Sequence, residues 1–285
     1  MHKTALFFAL AWVALAQPTL DSLVERVRKE FNVPGIAVAV VADGKVIHSK
    51  GYGVRKLGEP APVTPNTLFG IASNTKAMTA AALAILVDEG KIQWDDQVVK
   101  HMPAFQMYDP YVTREMEVRD LLVHRSGLGL GAGDLMFFPA SDLSREEIVR
   151  RLRFVKPASS FRSRYAYDNI LYLVAGQLIP AVTGRSWDDF LRERIHLPLG
   201  MTSTRTGIGA LRPGDEIATP HAPAGGELQP IGPTNLDNNA PAGAVQSSIG
   251  DMARWVMLQL NRGELDGKRL FSARREQLKT LVGRE

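Results

Sequence analysis

The chain contains the stretch Ile71-Ala72-Ser73-Asn74-Thr75-Lys76, which leads directly into an alanine- and leucine-rich segment ending in Glu89-Gly90. Such residues favour a helix, so we predict one over residues 75–89 with Gly90 as its C-terminal cap. Residues three positions apart share a helical face, so the Lys76 ammonium can reach the Ser73 hydroxyl. A desolvated lysine can remove the proton that makes serine a weak nucleophile. Ser73 and Lys76 are therefore a candidate nucleophile and base, although an N-cap serine beside a solvated lysine has the same spacing.

A second polar motif, Tyr167-Asp168-Asn169, stands immediately before an apolar segment that we predict to be a helix over residues 170–182. A tyrosine near a lysine can transfer protons, and an asparagine amide can orient a substrate carbonyl. Tyr167 could equally be a core aromatic residue, and Asn169 could cap the following helix. Taken alone, this motif does not decide between the two interpretations.

In combination and in this order, these motifs resemble the class C β-lactamase and penicillin-binding-protein-like serine hydrolase family. Two further segments resemble those of that family: Leu-Leu-Val-His-Arg-Ser-Gly-Leu at 121–128, and Pro-Ala-Gly at 241–243 followed by Ser247 and Asp-Met-Ala-Arg-Trp at 251–255. The resemblance covers roughly residues 20–285. It implies an α/β fold class of the α+β type, with an antiparallel sheet flanked by helices, an all-helical region, and an active site at their junction.

The resemblance also implies a chemistry. Ser73 would attack the carbonyl of an ester, amide or β-lactam and form an acyl-enzyme that water hydrolyses. Lys76 and Tyr167 would share the roles of base and acid, and Asn169 would bind the substrate, a small molecule or peptide with a reactive carbonyl. Esterases, D-peptidases and β-lactamases share these motifs, so the substrate stays open. A penicillin-binding carboxypeptidase and a catalytically impaired penicillin-binding or regulatory module are the alternatives.

The sequence departs from the family pattern in two respects. Asp168 stands where a small residue is usual, and near Lys76 its carboxylate would raise the lysine pKa. The third family motif, lysine-threonine-glycine or histidine-x-glycine, is absent after Ser247; Lys279-Thr280-Leu281 lacks the glycine. A single hairpin is also a poor sheet in water. We therefore expect a chain that ends before the late sheet strands and that lacks strong activity by itself.

The remaining pattern predicts one domain over residues 17–285. It begins with a helix at 20–31 and a hairpin of strands at 36–41 and 45–50 around Asp43-Gly44, within a helix-hairpin part at 20–66. A mainly helical region follows at 67–207, and loop and helices occupy 208–285, where the Pro-, Gly- and Asn-rich stretch 211–239 is predicted to be loop. Further helices are predicted at 118–124, 145–154, 187–195, 249–261 and 274–281.

The first sixteen residues are typical of a signal peptide. Lys3 precedes an apolar stretch at 5–15, and Ala14-Leu15-Ala16 forms a small-x-small cleavage site before Gln17. The stretch is short for a membrane span, although an uncleaved anchor is the alternative. We expect a secreted or periplasmic protein that meets the membrane only through this segment if it is uncleaved.

Composition narrows the function classes. A formal net charge of +4 without a recognisable motif gives no sign of nucleic-acid binding. The chain has no cysteine, and its six histidines lack metal-ligand spacing, so no metal or cofactor is expected. His124 is expected to be structural, and the glycine-rich run at 127–133 to be a flexible loop. A basic run is expected to be a solvated helix face or a field that attracts carboxylate-bearing substrates: Arg145, Arg150, Arg151, Arg153, Lys156, Arg162 and Arg164.

Overall fold

The computed structural model of the protein describes residues 19–272. The predicted signal segment at 1–16 and the predicted helix at 274–281 lie outside the described residues. Within residues 19–272 the α-helices are α1 (Leu20–Glu30), α2 (Thr75–Asp88), α3 (Val98–His101), α4 (Pro110–Glu115), α5 (Arg145–Arg151), α6 (Ile170–Thr183), α7 (Trp187–Leu191), α8 (Ala240–Gly243) and α9 (Ile249–Leu260). A π-helical segment, Arg192–His196, continues α7 directly. None of the helices in this range combines the length and apolar character that a membrane crossing needs.

The strands of the described chain form four two-stranded antiparallel sheets. The longest pair is β1 (Gly35–Ala42) with β2 (Lys45–Gly53), and α9 packs against β1. Their tight turn, Asp43-Gly44, has positive φ at both residues (49° and 72°), as a two-residue hairpin of this twist requires. The predicted opening helix and hairpin are therefore present, each within one to three residues of its predicted bounds.

Three shorter pairs complete the strand content of residues 19–272: β3 (Phe69–Gly70) with β6 (Gln246–Ser247), β4 (His221–Ala224) with β5 (Glu227–Pro230), and β7 (Glu264–Leu265) with β8 (Lys268–Arg269). The prediction of loop throughout 211–239 was wrong at β4 and β5. Their turn is Gly225-Gly226, with φ values of 63° and 87°. This is a hairpin signal that the surrounding proline and glycine content obscured.

A second correction concerns the predicted helix at 118–124. The chain forms only a 3-10 turn over Val118–Leu121. His124 has φ of 57°, outside the right-handed helical region, and its carbonyl accepts a hydrogen bond from the Ala166 N–H. A long-range contact therefore replaces the next helical turn at this point.

The central element is α2, which is buried on nearly all sides: every residue from Met78 to Leu86 lies in the core. A helix that is apolar all round must lie inside a protein. It packs against α6, α7 and α8. The predicted helix at 75–89 is thus present, and its first turn emerges where these elements meet.

The short helix α8 is held tightly between α2 and α6. The Thr79 hydroxyl of α2 donates to the Pro241 carbonyl at 2.8 Å and accepts from the Trp187 indole N–H at 3.1 Å. On the other side, a Cβ at Gly176 of α6 would lie 2.2 Å from Cγ of Pro241, so only glycine permits this approach. These contacts fix the backbone of α8 relative to the first turn of α2.

Candidate active site

Ser73 lies in a 3-10 turn, Ala72–Asn74, that continues directly into α2. Its side chain is at the surface, whereas Thr75 and Lys76, two and three residues further along the chain, are buried. Ala72 has φ of 46°, a strained conformation for a residue with a side chain. The chain therefore presents Ser73 to solvent at a helix start, where N–H groups without intrahelical partners favour negative charge.

The Lys76 side chain is only 6% exposed and has three polar neighbours. Its Nζ lies 3.1 Å from Ser73 Oγ, 2.8 Å from Asn169 Oδ1 and 2.8 Å from the Ala242 carbonyl oxygen. Burial lowers the Lys76 pKa to about 8, although the carboxylates of Asp134 and Asp168 oppose that shift. About a tenth of the lysine is then neutral at pH 7.

The partners of Lys76 determine what its neutral form can do. The oxygens of Asn169 and Ala242 point at Nζ as acceptors, so they take the two N–H groups of a neutral amine. The remaining lone pair then faces the third neighbour, Ser73 Oγ. The lone pair of neutral Lys76 therefore points toward the hydroxyl proton of Ser73.

Tyr167 also contacts Ser73 and donates its phenolic O–H to Ser73 Oγ at 2.6 Å. Burial raises the pKa of Tyr167, with smaller contributions from nearby acidic groups, so the phenol keeps its proton at neutral pH. Lys76 Nζ lies 4.8 Å from the centre of the Tyr167 ring, a cation–π distance. Of the two groups beside Ser73, the lysine is therefore the better base and the tyrosine the better acid.

His124 packs behind Tyr167 rather than beside Ser73. Its ring stacks on the Tyr167 ring with centroids 4.4 Å apart, and its Nδ1 accepts the Asp168 N–H at 3.2 Å. Burial, together with the nearby Lys76 charge, lowers the His124 pKa to about 4, so the ring is neutral and can accept this bond. The geometry is that of a support for Tyr167, in line with the structural role expected from the sequence.

Asp168 is fully buried, whereas Tyr167 and Asn169 on either side of it are partly exposed. Its carboxylate accepts from the Ser126 hydroxyl at 3.2 Å and from the Leu171 N–H at 3.4 Å. Burial raises the Asp168 pKa to about 6 despite these bonds. It raises the Lys76 pKa as expected from the sequence, but the burial of Lys76 outweighs it and the net shift is downward.

The structure thus brings together Ser73, Lys76, Tyr167 and Asn169 from two motifs that are far apart in the chain. Sequence reasoning missed two groups that touch them: the Ala242 carbonyl and the Asp134 carboxylate, which accepts from Asn169 Nδ2 at 3.0 Å. Asp134 follows the glycine-rich run, for which the sequence predicts only a flexible loop. No three acidic or imidazole groups among residues 19–272 lie close enough to hold a metal ion.

Four of the seven basic side chains in the run before Tyr167 have nearby carboxylate partners. Arg145 pairs with Asp188, Arg150 and Arg151 both pair with Glu147, and Arg162 pairs with Asp120. Ion pairs of this kind are typical of a solvated surface.

The sequence of the chain is similar to those of known proteins. A sequence model of the β-lactamase family matches residues 20–283. The chain is 35% identical over 253 residues to "Unguisins hydrolase ungD'" of Aspergillus campestris, covering 84% of this chain and 46% of that protein. It is 28% identical over 267 residues to "Protein flp" of Staphylococcus aureus, covering 86% and 49%. The chain spans about half the length of the curated relatives it matches.

Two solved structures have the same fold. An octameric penicillin-binding protein homologue from Pyrococcus abyssi superposes with a TM-score of 0.77 at 26% identity, covering 91% of this chain and 58% of that one. FmtA from Staphylococcus aureus superposes with a TM-score of 0.74 at 25% identity, covering 90% and 68%. These similarities confirm the predicted α+β fold class, which is that of β-lactamases and penicillin-binding proteins.

Proposed function

Because the chain belongs to the β-lactamase family, we propose that it is a serine acyl-hydrolase in which Ser73 is the nucleophile and Lys76 its base. The observation that carries the proposal is the set of acceptors around Lys76 Nζ. Two oxygens at 2.8 Å occupy its N–H groups, and Ser73 Oγ at 3.1 Å is left for the lone pair. A solvated surface lysine would have neither this arrangement nor a lowered pKa.

In the acylation step, Ser73 Oγ forms a bond to the carbonyl carbon of the substrate while its proton passes to Lys76 Nζ. The negative charge that develops on the carbonyl oxygen is favoured by the N–H groups at the start of α2. Collapse of the tetrahedral intermediate breaks the bond to the leaving group. That group receives the proton from the Tyr167 hydroxyl, which Lys76 then reprotonates.

Deacylation repeats these transfers with water in place of the leaving group. Water attacks the ester carbonyl, its proton passes to the neutral Lys76 amine, and Ser73 leaves with a proton restored to Oγ. Asn169 has its amide beside the same centre and would contact the substrate. The overall reaction consumes one water and needs no cofactor.

The substrate proposed is an ester, amide or β-lactam with an accessible carbonyl. One relative is named a hydrolase of unguisins, and one structural neighbour is titled a penicillin-binding protein homologue. The similarity to the penicillin-binding protein homologue favours one alternative, a module that β-lactams acylate but that hydrolyses the acyl-enzyme slowly. We also propose export through the signal segment at 1–16.

The test is an acylation assay with a fluorescent penicillin and a p-nitrophenyl ester on wild type and Ser73→Ala. The proposal expects covalent labelling or ester turnover that disappears in Ser73→Ala. Labelling without turnover identifies the slow module, because acylation then occurs and deacylation does not. Labelling that survives Ser73→Ala contradicts the nucleophile assignment.

A further inference from the structure

The Asn169 amide lies between two charged groups. Its oxygen Oδ1 accepts from Lys76 Nζ at 2.8 Å, and its Nδ2 donates to Asp134 Oδ2 at 3.0 Å. A flipped amide would point its NH₂ group at the ammonium and its oxygen at the carboxylate. Both contacts would then be repulsive, so both ends favour the observed orientation.

The lysine end of this arrangement is lost whenever Lys76 is neutral, which is the state in which it can act as a base. A neutral Lys76 amine can accept a hydrogen bond, so it no longer rejects an NH₂ group. A flipped Asn169 amide would then donate to the lone pair of Lys76 and occupy the electrons that Ser73 needs. While the lysine is neutral, only a hydrogen-bond partner of the Asn169 NH₂ group can prevent the amide from flipping.

We propose that Asp134 is a positioning residue of the active site, whose carboxylate keeps the Asn169 oxygen facing Lys76 when the lysine is neutral and can act as a base. This inference rests on the proposed function. Burial raises the pKa of Asp134, whereas the Asn169 NH₂ group and the Lys76 charge lower it. In its ionised form the carboxylate accepts hydrogen bonds and never donates them, so it holds the NH₂ end of Asn169. Asp134 acts through Asn169 and makes no contact with Ser73.

The loop before Asp134 is shaped to deliver this carboxylate. Gly133 has φ of 86°, and a Cβ there would lie 2.8 Å from Cδ1 of Ile170, the first residue of α6. The Gly131 N–H donates to the Tyr167 carbonyl at 3.1 Å, which ties the same loop to the second motif. The glycine-rich run thus lets the chain pass close enough to α6 for Asp134 to reach Asn169.

The titratable groups around Lys76 define the expected pH effect. Lys76 faces Asp134 from the glycine-rich loop, Asp168 and Tyr167 from the second motif, Tyr172 from α6, and His124 behind Tyr167. Of these, the two carboxylates raise the lysine pKa. Neutralising Asp134 removes one of them and leaves Asp168, so the lysine pKa should fall further.

The kinetic test compares the pH profile of acylation in wild type, Asp134→Asn, Asp134→Glu and Asp142→Asn. Asp142→Asn neutralises an exposed carboxylate in the same segment as a control. In Asp134→Asn we expect the rate plateau to fall roughly ten-fold, since misorientation of a catalytic group has costs of this order. The acidic limb of the pH–rate profile should move to lower pH by about half a unit or more, because the Lys76 pKa falls. Asp134→Glu should recover part of the plateau, and Asp142→Asn should match wild type.

If the plateau of the acylation rate is unchanged in Asp134→Asn, the proposal is overturned, even if the acidic limb of the pH profile shifts. Failure of wild type to acylate, or labelling that persists in Ser73→Ala, instead refutes the proposed function. NMR keeps the inference testable in that case. The Asn169 amide proton that donates to Asp134 should stay shifted downfield as the pH rises through the Lys76 pKa, and in Asp134→Asn the shift should be absent. Loss of that signal in wild type as Lys76 becomes neutral contradicts the proposal.

Discussion

Lys76 Nζ lies 3.1 Å from Ser73 Oγ, one helical turn further along the chain, and both of its other close partners are oxygen acceptors. The spacing alone is common in proteins. What distinguishes this pair is the burial of Lys76 and the fixed direction of its lone pair in the neutral form. The consequences for rate, stability and pH dependence can be measured separately.

Lys76→Arg should abolish most of the activity. Arginine keeps its charge at all relevant pH values, so it cannot accept the Ser73 proton. We expect the acylation rate to fall by about 10²- to 10⁴-fold, the usual contribution of a general base. In wild type the rate should rise with pH around the Lys76 pKa of about 8, because the neutral form increases there.

The control for this change is Lys91→Arg, which alters an exposed lysine paired with Glu89 just after α2. It should leave the rate unchanged. A Lys76→Arg protein that is folded by circular dichroism and acylates at the wild-type rate would show that Lys76 is not the base.

Tyr167→Phe removes the O–H that reaches Ser73 Oγ and keeps the ring that stacks on His124. We expect a loss of about 10- to 100-fold in steady-state turnover, through slower protonation of the leaving group. The free energy of unfolding should change by less than about 1 kcal/mol, since the ring packing stays.

Tyr165→Phe provides a matched control, because Tyr165 contacts the edge of the same His124 ring and is 68% exposed. It should behave as wild type in turnover. Equal effects of the two substitutions would assign the loss to the aromatic cluster rather than to the proton of Tyr167.

Gly176→Ala tests how the packing of α6 against α8 supports the site. The added methyl group would overlap Pro241, so α8 must shift, and with it the Ala242 carbonyl that accepts from Lys76. We expect a destabilisation of about 1–3 kcal/mol in urea unfolding, typical of overpacking, together with slower acylation. Ala181→Ser adds one atom at an exposed position of the same helix and should change neither the stability nor the acylation rate. If Gly176→Ala acylates at the wild-type rate, the position of α8 does not affect catalysis.

Asp168→Asn tests the buried carboxylate through the pH dependence of stability. The folded pKa of Asp168, about 6, lies above the unfolded value of 3.8, so the folded protein binds more protons between these values. The stability of wild type relative to Asp168→Asn should therefore fall as the pH rises from about 4 to about 6. The total change should be about 3 kcal/mol, from the size of the pKa difference.

Urea unfolding at several pH values measures this difference. Asp142→Asn, an exposed carboxylate, provides the reference for general charge effects. A difference between wild type and Asp168→Asn that is flat from pH 4 to pH 7 would mean that Asp168 titrates normally in the folded protein.

Much of this architecture is predictable from the sequence because its principal elements are long and locally encoded. The apolar composition of α2 and α6, the glycine after α2, and the Asp43-Gly44 turn each act over a few neighbouring residues. The approach of Ser73 to Lys76 also follows from helical spacing alone. The elements that escaped prediction, such as α3, α4 and β3, have two to six residues and are too short for a periodic signal.

The missed parts of the site depend on long-range packing. Asp134 and Asn169 are 35 residues apart in the chain and meet because the glycine-rich loop passes close to α6. The sign of the Lys76 pKa shift depends on how deeply the side chain is buried relative to the two carboxylates near it. No local pattern in the sequence encodes the distance between Asp134 and Asn169 or the depth at which Lys76 is buried.

The most direct measurement locates the covalent adduct itself. The protein is incubated with a β-lactam or an activated ester, digested, and the modified peptide is sequenced by tandem mass spectrometry. We expect an acyl group on Ser73, with no adduct in Ser73→Ala and much slower adduct formation in Lys76→Arg. An adduct on any other residue, or an equal yield of adduct in Ser73→Ala, would contradict the assignment of Ser73 as the nucleophile.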